Sequence, residues 1–350
     1  MKPGFPEKLE WRKDPTTGLW VIIAPWRSKR PYDFDIHSGE GKTYPCAFCM
    51  GMEEHTPHEV FRLVGDDNRE QWLVRVFPNK FPALRRGEEF FVQGGDGLHE
   101  KMGGFGVHEV IVETPEHYAD FSQFSQYRME KVLYVYRERI ARWEKDSRLR
   151  YCLIFKNQGI HAGASMFHPH SQLIATPLIP KRVEEELIQA QHFYENQKKC
   201  LFCALIEAEM NQRVRLVYHN DHFVAFIPHA ARFPYEIWLL PVLHHASFLG
   251  MEYFSSCAQA LRIILQALRK ALGELTFNFV LHGAPYERNP EDRKYASIYH
   301  WHLEIIPFST RMAGFEWGTG FHINPTSPEK VACSLREIIR SGVGEEFAGD

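Results

Sequence analysis

A duplicated pattern of cysteine and histidine residues is the feature that most constrains the fold of this chain of 350 residues. Each half contains a Cys-x-x-Cys pair, two strand-like runs, a helix-like stretch, another apolar run and a segment that begins with His-x-His. In the first half the cysteine pair is Cys46 and Cys49, and the His-x-His segment begins at His168. In the second half the pair is Cys200 and Cys203, and the segment begins at His300. The unit of a solenoid is about 20–50 residues long, and the repeat in this chain is much longer. It therefore indicates a duplicated domain.

The two halves also agree in detail. The segment 168–172 (HPHSQ) corresponds to 300–304 (HWHLE). Glu109 precedes His117 by the same interval as Glu236 precedes His244. We therefore predict an α+β protein with two pseudo-symmetric halves, each with an antiparallel sheet and a covering helix. The halves are residues 1–180 and 181–350, and we expect their sheets to join edge to edge.

The apolar spacing predicts the individual elements. Three helices are expected at 124–147, 183–199 and 253–272. A hairpin is expected over Leu9–Ala24, and each Cys-x-x-Cys pair is expected to form a short knuckle. Further strands are predicted at 73–77, 108–113, 151–155, 222–228, 235–241, 277–281 and 300–307.

The composition argues against several classes of partner. Hydrophobic residues make up 44% of the chain, which supports a real core. The net charge is −3 and no basic block dominates any region, so a nucleic acid polymer is not an expected partner. No apolar run approaches the length of a membrane span, and Met1–Gly4 begins no apolar signal segment. Seven cysteines, an odd number, argue against a secreted disulfide scaffold, so we expect a cytoplasmic protein.

Each Cys-x-x-Cys pair supplies two of the four ligands of a tetrahedral zinc site and needs two more. The duplication indicates one pair of histidines in each half. The predicted ligand sets are Cys46, Cys49, His117 and His168, and Cys200, Cys203, His244 and His300. Closed four-ligand sets are structural rather than catalytic, and two thiolates favour zinc over iron at the second site. The sequence thus predicts two zinc ions per chain.

Other interpretations of the same residues stay open. The pairs can be redox-active or unbound thiols, although a thioredoxin-like pair needs a different βαβ context. His245, next to His244, is a rival ligand. The histidines interpreted as surface or core residues are His108, His161, His219, His222 and His229.

If His168 binds metal, His170 is free for chemistry. A neutral imidazole attacks phosphorus when its other ring nitrogen donates to a backbone carbonyl, because this bond fixes the tautomer. A loop of small residues, Ala162–Ser165, precedes this segment. We expect Ser165 and the N–H groups of Gly163–Ser165 to stabilise charge on phosphoryl oxygens. The pattern therefore predicts nucleotidyl transfer through a phosphoramidate on His170.

Gln172 shares a face of the strand with His168 and His170, because alternate residues of an extended chain point the same way. Its amide donates N–H but releases no proton, which favours a leaving group such as a sugar phosphate. Glu304 takes this position in the second half, where its charge would repel phosphate, and no glycine- and serine-containing loop precedes His300. We interpret the second half as a pseudo-active site that keeps its metal.

At these residues the chain resembles the galactose-1-phosphate uridylyltransferase family of the histidine-triad superfamily. The segment 168–172 is similar to the family's His-Pro-His-Gly-Gln motif, and the similarity covers nearly the whole chain. It includes the segments 22–31, 157–159, 235–244 and 314–316. Ser171, the second Cys-x-x-Cys pair and the segment 314–320 resemble the branch that contains plant ADP-glucose phosphorylase.

The resemblance implies a duplicated histidine-triad-like fold, a homodimer, zinc at both ligand sets and a covalently nucleotidylated His170. Its implied substrates are a nucleotide sugar and a hexose 1-phosphate. The residues that it implies for the nucleotide-sugar site are Arg27, Lys29, Arg30, Asn79, Asn157, Gly163, Ala164, Ser165, Gln172, Gly314, Phe315 and Glu316. Ser171 replaces the family's glycine and leaves the base open between uracil and adenine.

The resulting hypothesis is a UDP-glucose:hexose-1-phosphate uridylyltransferase with a ping-pong mechanism through uridylyl-His170. The nearest alternative is an ADP-glucose:phosphate adenylyltransferase that uses inorganic phosphate as acceptor. A nucleotide-hydrolysing histidine-triad enzyme agrees less well with Gln172. The alternative from another class is a non-catalytic, zinc-stabilised nucleotide-binding module, against which an intact His170, Ser165 and Gln172 argue.

Overall fold

The structure is a computed structural model that describes residues 9–25, 46–65, 71–89, 92–93, 98, 101–117, 119–308, 310 and 312–342. The strands are β1 Glu10–Lys13, β2 Trp20–Ile23, β3 Phe61–Val64, β4 Trp72–Pro78, β5 Val92–Gln93, β6 Lys101–Met102, β7 Val107–Val112, β8 Tyr151–Gln158, β9 His170–Thr176, β10 Leu216–His219, β11 Phe223–Phe226, β12 Ile237–Pro241, β13 Phe277–His282, β14 His302–Pro307 and β15 His322–Asn324. The helices are α1 Gln126–Glu144, α2 Lys181–Gln197, α3 Leu201–Gln212, α4 Phe254–Leu272, α5 Tyr295–Ile298, α6 Gly314–Thr319 and α7 Pro328–Arg340.

One sheet of ten strands runs through both halves of the molecule. Its order is β10-β11-β12-β14-β13-β8-β9-β7-β4-β3, and its neighbouring strands pair antiparallel. The first five strands in this order come from the second half of the chain and the last five from the first half. The pairing of β8 with β13 joins them, which confirms the prediction of two sheets joined edge to edge.

The register identifies equivalent residues in the two halves. Phe155 of β8 lies opposite Val280 of β13 across the seam. On their other sides, Phe155 lies opposite Gln172 and Val280 lies opposite Glu304. The pseudo-two-fold axis therefore passes between Phe155 and Val280, and it relates Gln172 to Glu304.

Helices α1 and α4 cover one face of the sheet and are equivalent in position, since each precedes a central strand. Their apolar residues, for example Val132 and Ile264, are buried in one core with sheet residues such as Phe279. Gly273 ends α4 with a φ of 81°, a value that suits glycine. The predicted helices at 124–147, 183–199 and 253–272 are observed as α1, α2 and α4, with ends that differ by a few residues.

The equal spacing of Glu109 and Glu236 from their histidines does not make the two carboxylates equivalent. Glu109 pairs with Leu173 and forms hydrogen bonds of 2.6 and 2.9 Å with Arg139 of α1. In the second half, Ile237 pairs with the residue that corresponds to Leu173. Glu236 does not take this position. Glu236 lies just before β12 and accepts hydrogen bonds from the Arg232 side chain. Successive residues of a strand face opposite sides of the sheet, so a shift of one residue changes the face.

The second Cys-x-x-Cys pair is not the isolated knuckle that the sequence analysis expected. Cys200 is the N-cap of α3, and Cys203 lies in the first turn of that helix. Helix α3 is an element beyond those that the sequence predicts, because the short run 201–212 directly follows the cysteine pair and offers little helical periodicity of its own.

A second, three-stranded sheet combines the two ends of the chain. The predicted hairpin at Leu9–Ala24 is observed as β1 and β2, and β15 pairs parallel with β2. Arg12 of β1 forms an ion pair of 2.7 Å with Glu329 of α7.

The division of the chain at residue 180 stays a prediction. Among the described residues, no helix combines the length and apolar character required to cross a bilayer.

Candidate functional site

The first predicted ligand set forms one cluster. The ligand atoms of Cys46, Cys49, His117 and His168 all lie within 4.8 Å of one another. Cys49 Sγ is 3.4 Å from His117 Nδ1 and 3.7 Å from His168 Nδ1. His168 Nε2 lies 2.7 Å from the carbonyl oxygen of Thr114, which can only accept. Nε2 therefore carries the proton and Nδ1 presents its lone pair to the cysteines. Burial lowers the pKa of His168 to about 4, which favours this neutral form.

The second predicted set forms a matching cluster from Cys200, Cys203, His244 and His300. Cys203 Sγ is 3.2 Å from His244 Nδ1 and 3.6 Å from His300 Nδ1. Both histidines donate from Nε2 to a backbone carbonyl, at 2.8 Å to Ala296 and 3.0 Å to Pro241. His244 therefore occupies the ligand position, rather than its rival His245. Backbone acceptors fix the tautomers, as they do for histidine ligands in metal sites.

Both clusters are candidate metal-binding groups. Sulfur and nitrogen ligands at zinc bond lengths are about 3.5 Å apart at the corners of a tetrahedron. The five sulfur–nitrogen separations described for the clusters range from 3.2 to 3.8 Å. The donor sets and their spacing therefore fit a tetrahedral ion, and neither set leaves an open position for a substrate.

His170 is the first residue of β9 and is buried. Its Nδ1 lies 2.8 Å from the carbonyl oxygen of His168 and must donate to it. In the neutral ring Nε2 then carries no proton and is free as a nucleophile. Burial lowers the pKa of His170, and the charge of Lys156 acts in the same direction. The edge of the Phe48 ring packs against the imidazole, with ring centroids 5.3 Å apart.

Gln172 is oriented by His108, one of the histidines expected to be a surface or core residue. His108 of β7 has its Nε2 2.7 Å from Gln172 Oε1, and its Nδ1 accepts the N–H of Ala83 at 3.0 Å. His108 Nε2 is therefore a donor, and Asn79 Nδ2 also approaches Gln172 Oε1, at 3.4 Å. Its oxygen is thus engaged, while none of the described residues accepts a hydrogen bond from its amide nitrogen, which can therefore donate to a ligand. His108 alternates with Val110, which pairs directly with Gln172, so the register of β7 and β9 brings His108 to the same face as Gln172.

The small-residue loop differs from the expected phosphate cradle. It contains a 3-10 turn at Ile160–Ala162. The N–H of Gly163 donates to the carbonyl of Ile160, and the N–H of Ala164 donates to that of Gly159. These two donors are thus used within the loop and do not point to a ligand, contrary to expectation. Ser165 and Gly163 are exposed.

One group of the substrate-site residues implied by the resemblance makes no hydrogen bond with the site around His170 among the described residues. Gly314, Phe315 and Glu316 form the first turn of α6, and Glu316 accepts the N–H of Ala313 at 3.0 Å. The hydrogen bonds described for this turn stay within α6 and its N-cap. The other group, Arg27, Lys29 and Arg30, lies outside the described residues.

The second half carries the counterpart of this site. The register makes His282, His302 and Glu304 equivalent to Asn157, His170 and Gln172. The three side chains are buried, and with Glu186 of α2 their ligand atoms lie within 4.8 Å of one another.

The negative charge of Glu304 is balanced by positive charges within the protein. Although burial opposes its ionisation, Arg232 and His282 hold its pKa well below the usual range. Arg232 donates to Glu304 at 2.6 Å, and Phe202 of α3 stacks on His302 with ring centroids 4.9 Å apart. Helices α2 and α3 thus close this position, in agreement with a pseudo-active site.

Comparisons with known proteins agree with this geometry. Residues 7–180 match the family model described as galactose-1-phosphate uridyl transferase, N-terminal domain. ADP-glucose phosphorylase from Arabidopsis thaliana is 35% identical over 335 residues, covering 94% of this chain and 93% of that protein. Galactose-1-phosphate uridylyltransferase from Thermotoga maritima is 30% identical over 338 residues, covering 94% of this chain and 98% of that protein.

A solved structure extends the agreement to the fold. The crystal structure of the Arabidopsis thaliana ADP-glucose phosphorylase with bound ADP-glucose superimposes with a TM-score of 0.81 at 33% identity, covering 94% of this chain and 98% of that one. Fold and site together define a nucleotidyltransferase with a duplicated, histidine-triad-like fold. The chain belongs to the galactose-1-phosphate uridylyltransferase family.

Proposed function

We propose that this protein transfers a nucleotidyl group from a nucleotide sugar to an acceptor phosphate through a covalent adduct on His170. The observation that carries the proposal is the 2.8 Å contact between His170 Nδ1 and the carbonyl oxygen of His168. This bond places the proton on Nδ1 and leaves the lone pair on Nε2. Burial of the ring favours this neutral form further.

In the first step the lone pair of His170 Nε2 attacks the α-phosphorus of the donor. A P–N bond forms, and the bond between the α-phosphorus and the bridging oxygen breaks with its electron pair on the departing hexose 1-phosphate. A phosphate oxygen of the acceptor then attacks the same phosphorus and releases His170. Neither leaving group needs a proton, which agrees with an amide at Gln172. Its free N–H groups stabilise charge that develops on the phosphoryl oxygens.

The donor and acceptor that we propose are UDP-glucose and galactose 1-phosphate, in line with the relative named galactose-1-phosphate uridylyltransferase. A second candidate is ADP-glucose with inorganic phosphate. It is favoured by the 35% identity to a protein named ADP-glucose phosphorylase and by the structural match to that protein with ADP-glucose bound. Both candidates use the same step on His170, and they differ in the base and in the acceptor.

We also propose zinc at both Cys/His clusters, because each offers two thiols and two imidazole nitrogens at tetrahedral spacing. Bound zinc would supply a fixed cross-link rather than a reactive position. In the first half it would join the segment 46–49 to His168, two residues before the nucleophile. In the second half it would join the start of α3 to the segment before β14.

The remaining substrate contacts belong to the same proposal. Asn79, Asn157 and Ser165 would contact the donor from the first half of the chain. Gly163 and Ala164 would line the site by their small size, since their N–H groups are used within the loop. Arg27, Lys29, Arg30, Gly314, Phe315 and Glu316 would complete it, and the family resemblance makes a homodimer the expected assembly.

Intact-protein mass spectrometry tests the proposal. The protein is mixed briefly with UDP-glucose or with ADP-glucose in the absence of acceptor, and a uridylyl or adenylyl adduct is then mapped by peptide digestion. We expect an adduct on His170 in the unmodified protein and none in His170→Ala. His302→Asn is the matched control, because His302 is the pseudo-symmetric counterpart, and it should still form the adduct. Absence of an adduct with both donors would contradict the covalent mechanism and favour a binding module.

A further inference from the structure

One asparagine of the second half contacts the candidate site of the first half. Asn278 of β13 lies directly opposite Asn157 of β8 at the seam of the ten-stranded sheet. Its Nδ2 donates to Asn157 Oδ1 at 2.8 Å and to the carbonyl oxygen of Ala162 at 2.8 Å. The loop also approaches the residue before β13 at Gly159, where a Cβ would lie 2.6 Å from Thr276 Oγ1. The second half therefore supports the loop that precedes His170.

The two hydrogen bonds of Asn278 determine which way the amide of Asn157 points. A backbone carbonyl only accepts, so Asn278 must turn its amino group toward Ala162. Both N–H groups of Asn278 are then used, and Asn157 must present its oxygen to the second of them. The amino group of Asn157 consequently points away from Asn278. Its Nδ2 lies 3.9 Å from the position that a Cβ would take at Gly163.

The sheet register places this amino group beside the nucleophile. Phe155 of β8 pairs with Gln172 of β9. Phe155 and Gln172 are the last pair of this ladder, and extension of its register by two residues would set Asn157 beside His170 on the same face of the sheet. The N–H groups of Gly163 and Ala164 are used within the loop. The amide of Asn157 is therefore a donor that remains for a phosphoryl oxygen at His170.

We propose that Asn278 is a positioning residue for nucleotidyl transfer, which it assists by fixing the amide of Asn157 with its amino group toward the α-phosphate of the donor. This inference rests on the proposed function. The nitrogen and oxygen of an amide have similar size, so packing alone selects neither orientation, and a hydrogen-bond partner is required. In the second half this pair corresponds to Leu153 and His282. Leucine has no side-chain amide, so it cannot orient its neighbour as Asn278 orients Asn157. The asymmetry agrees with chemistry in one half only.

Single-turnover kinetics of adduct formation on His170 test the proposal. Asn278→Ala should slow the step about tenfold, since it removes the bonds that orient one donor. Asn278→Asp should be slower still, because a carboxylate attracts the amino group of Asn157 and turns it away from the phosphate. Zinc content and the thermal midpoint should stay close to those of the unmodified protein. A matched control is Asn220→Ala, which removes a similar bond to the Ser256 carbonyl far along the chain and should leave the rate unchanged.

A double-variant cycle separates positioning from general support of the fold. If Asn278 acts through Asn157, then Asn157→Ala and the double variant Asn157→Ala/Asn278→Ala should react at rates within about threefold of each other. Multiplicative losses would overturn the proposal, and so would an Asn278→Asp variant that reacts faster than Asn278→Ala.

Nuclear magnetic resonance of protein with ¹⁵N-labelled asparagine tests the orientation without any substrate. The amino protons of Asn157 should show a nuclear Overhauser effect to the α-protons of Gly163, and Asn278→Asp should abolish it. An effect that persists in Asn278→Asp, or that is absent in the unmodified protein, would contradict the inference. A positive result here with no adduct from either donor would place the failure in the proposed function instead.

Discussion

Lys156 and Glu113 form an ion pair of 2.5 Å behind the strand that carries His170, and their side chains are only 1% and 0% exposed. Lys156 also donates a hydrogen bond of 3.2 Å to the carbonyl oxygen of His170. Glu113 accepts hydrogen bonds from the hydroxyls of Tyr136 and Ser171. A fully buried charged network thus holds the backbone of the nucleophile from the helix side of the sheet, and Ser171 is a part of this network.

Removal of one charge of this pair should destabilise the protein strongly. Lys156→Met leaves the Glu113 carboxylate buried without its cation, and the loss should be about 3–5 kcal/mol in the free energy of unfolding. Urea unfolding followed by circular dichroism measures it. The double variant Lys156→Met/Glu113→Gln should recover a large part of the loss, because no unpaired charge is left. A loss below about 1 kcal/mol in the single variant would contradict a buried pair of opposite charges at this position.

Replacement of the second pair of cysteines should change metal content more than chemistry. Cys200→Ser/Cys203→Ser should lower zinc from two ions to one per chain, as measured by inductively coupled plasma mass spectrometry. It should also lower the thermal midpoint, because binding energy of a structural ion is folding energy. The rate of adduct formation on His170 should change less than about threefold, since this cluster lies in the other half. Unchanged metal content would refute the second site.

A carboxylate at position 172 should suppress the transfer. Gln172→Glu places a negative charge where phosphoryl oxygens must lie, and His108 Nε2 would hold that charge in place. Loss of an oriented donor of this kind typically slows the step by about 100-fold, and charge repulsion adds to it. The rate of adduct formation in a rapid-quench experiment measures the effect.

The reciprocal variant is the control for that experiment. Glu304→Gln gives the second half the residue of the first, but α2 and α3 still cover the site, so no second adduct should appear. A rate for Gln172→Glu close to that of the unmodified protein would contradict the role of Gln172.

The contact between Arg12 and Glu329 should make stability depend on pH in the acid range. Although burial opposes ionisation, Arg12 lowers the pKa of Glu329 from the usual 4.5 to about 2. The unfolded chain binds a proton at this carboxyl more readily than the folded protein does. The stabilisation is therefore complete above about pH 5 and is lost as the pH falls toward about 2.

Comparison with Glu329→Gln isolates this effect from other acid-sensitive groups. The unmodified protein should be more stable than Glu329→Gln by about 2 kcal/mol at pH 7, after allowance for partial screening by solvent. The difference should shrink below pH 4.5, because a protonated glutamate resembles glutamine. Urea unfolding at pH 7, 5 and 3.5 measures it. A difference that is independent of pH would contradict the role of charge in this contact.

The sequence allowed prediction of those parts of the fold that repeat. The two Cys-x-x-Cys pairs and the two His-x-His segments share an order along the chain, and from this order follow the edge-to-edge sheet and the histidine partners of each cysteine pair. Both ligand sets are clustered in the structure as predicted. Apolar spacing located α1, α2 and α4, because long amphipathic helices have a strong period.

Features that depend on contacts between distant segments could not be predicted in this way. The role of His108 is visible only when β7 is placed beside β9, and a lone histidine on a strand carries no such information. The donors of Gly163 and Ala164 are used by a local 3-10 turn, which small residues alone do not specify. Strand β15 has three residues, too few for a periodic signal, and its partner β2 lies at the other end of the chain.

The parallel pairing of β2 with β15 has a consequence for biosynthesis. Ile22 lies opposite Ile323, so the ribosome must add about 300 residues after β2 before the edge of β2 meets its neighbour. At a translation rate of about 5–20 residues per second, this edge stays open for roughly 15–60 s after its own synthesis. An open strand edge is a template for pairing with other chains. The hairpin of β1 and β2 therefore exposes one strand edge until β15 has been made, and the small sheet can close only after that point.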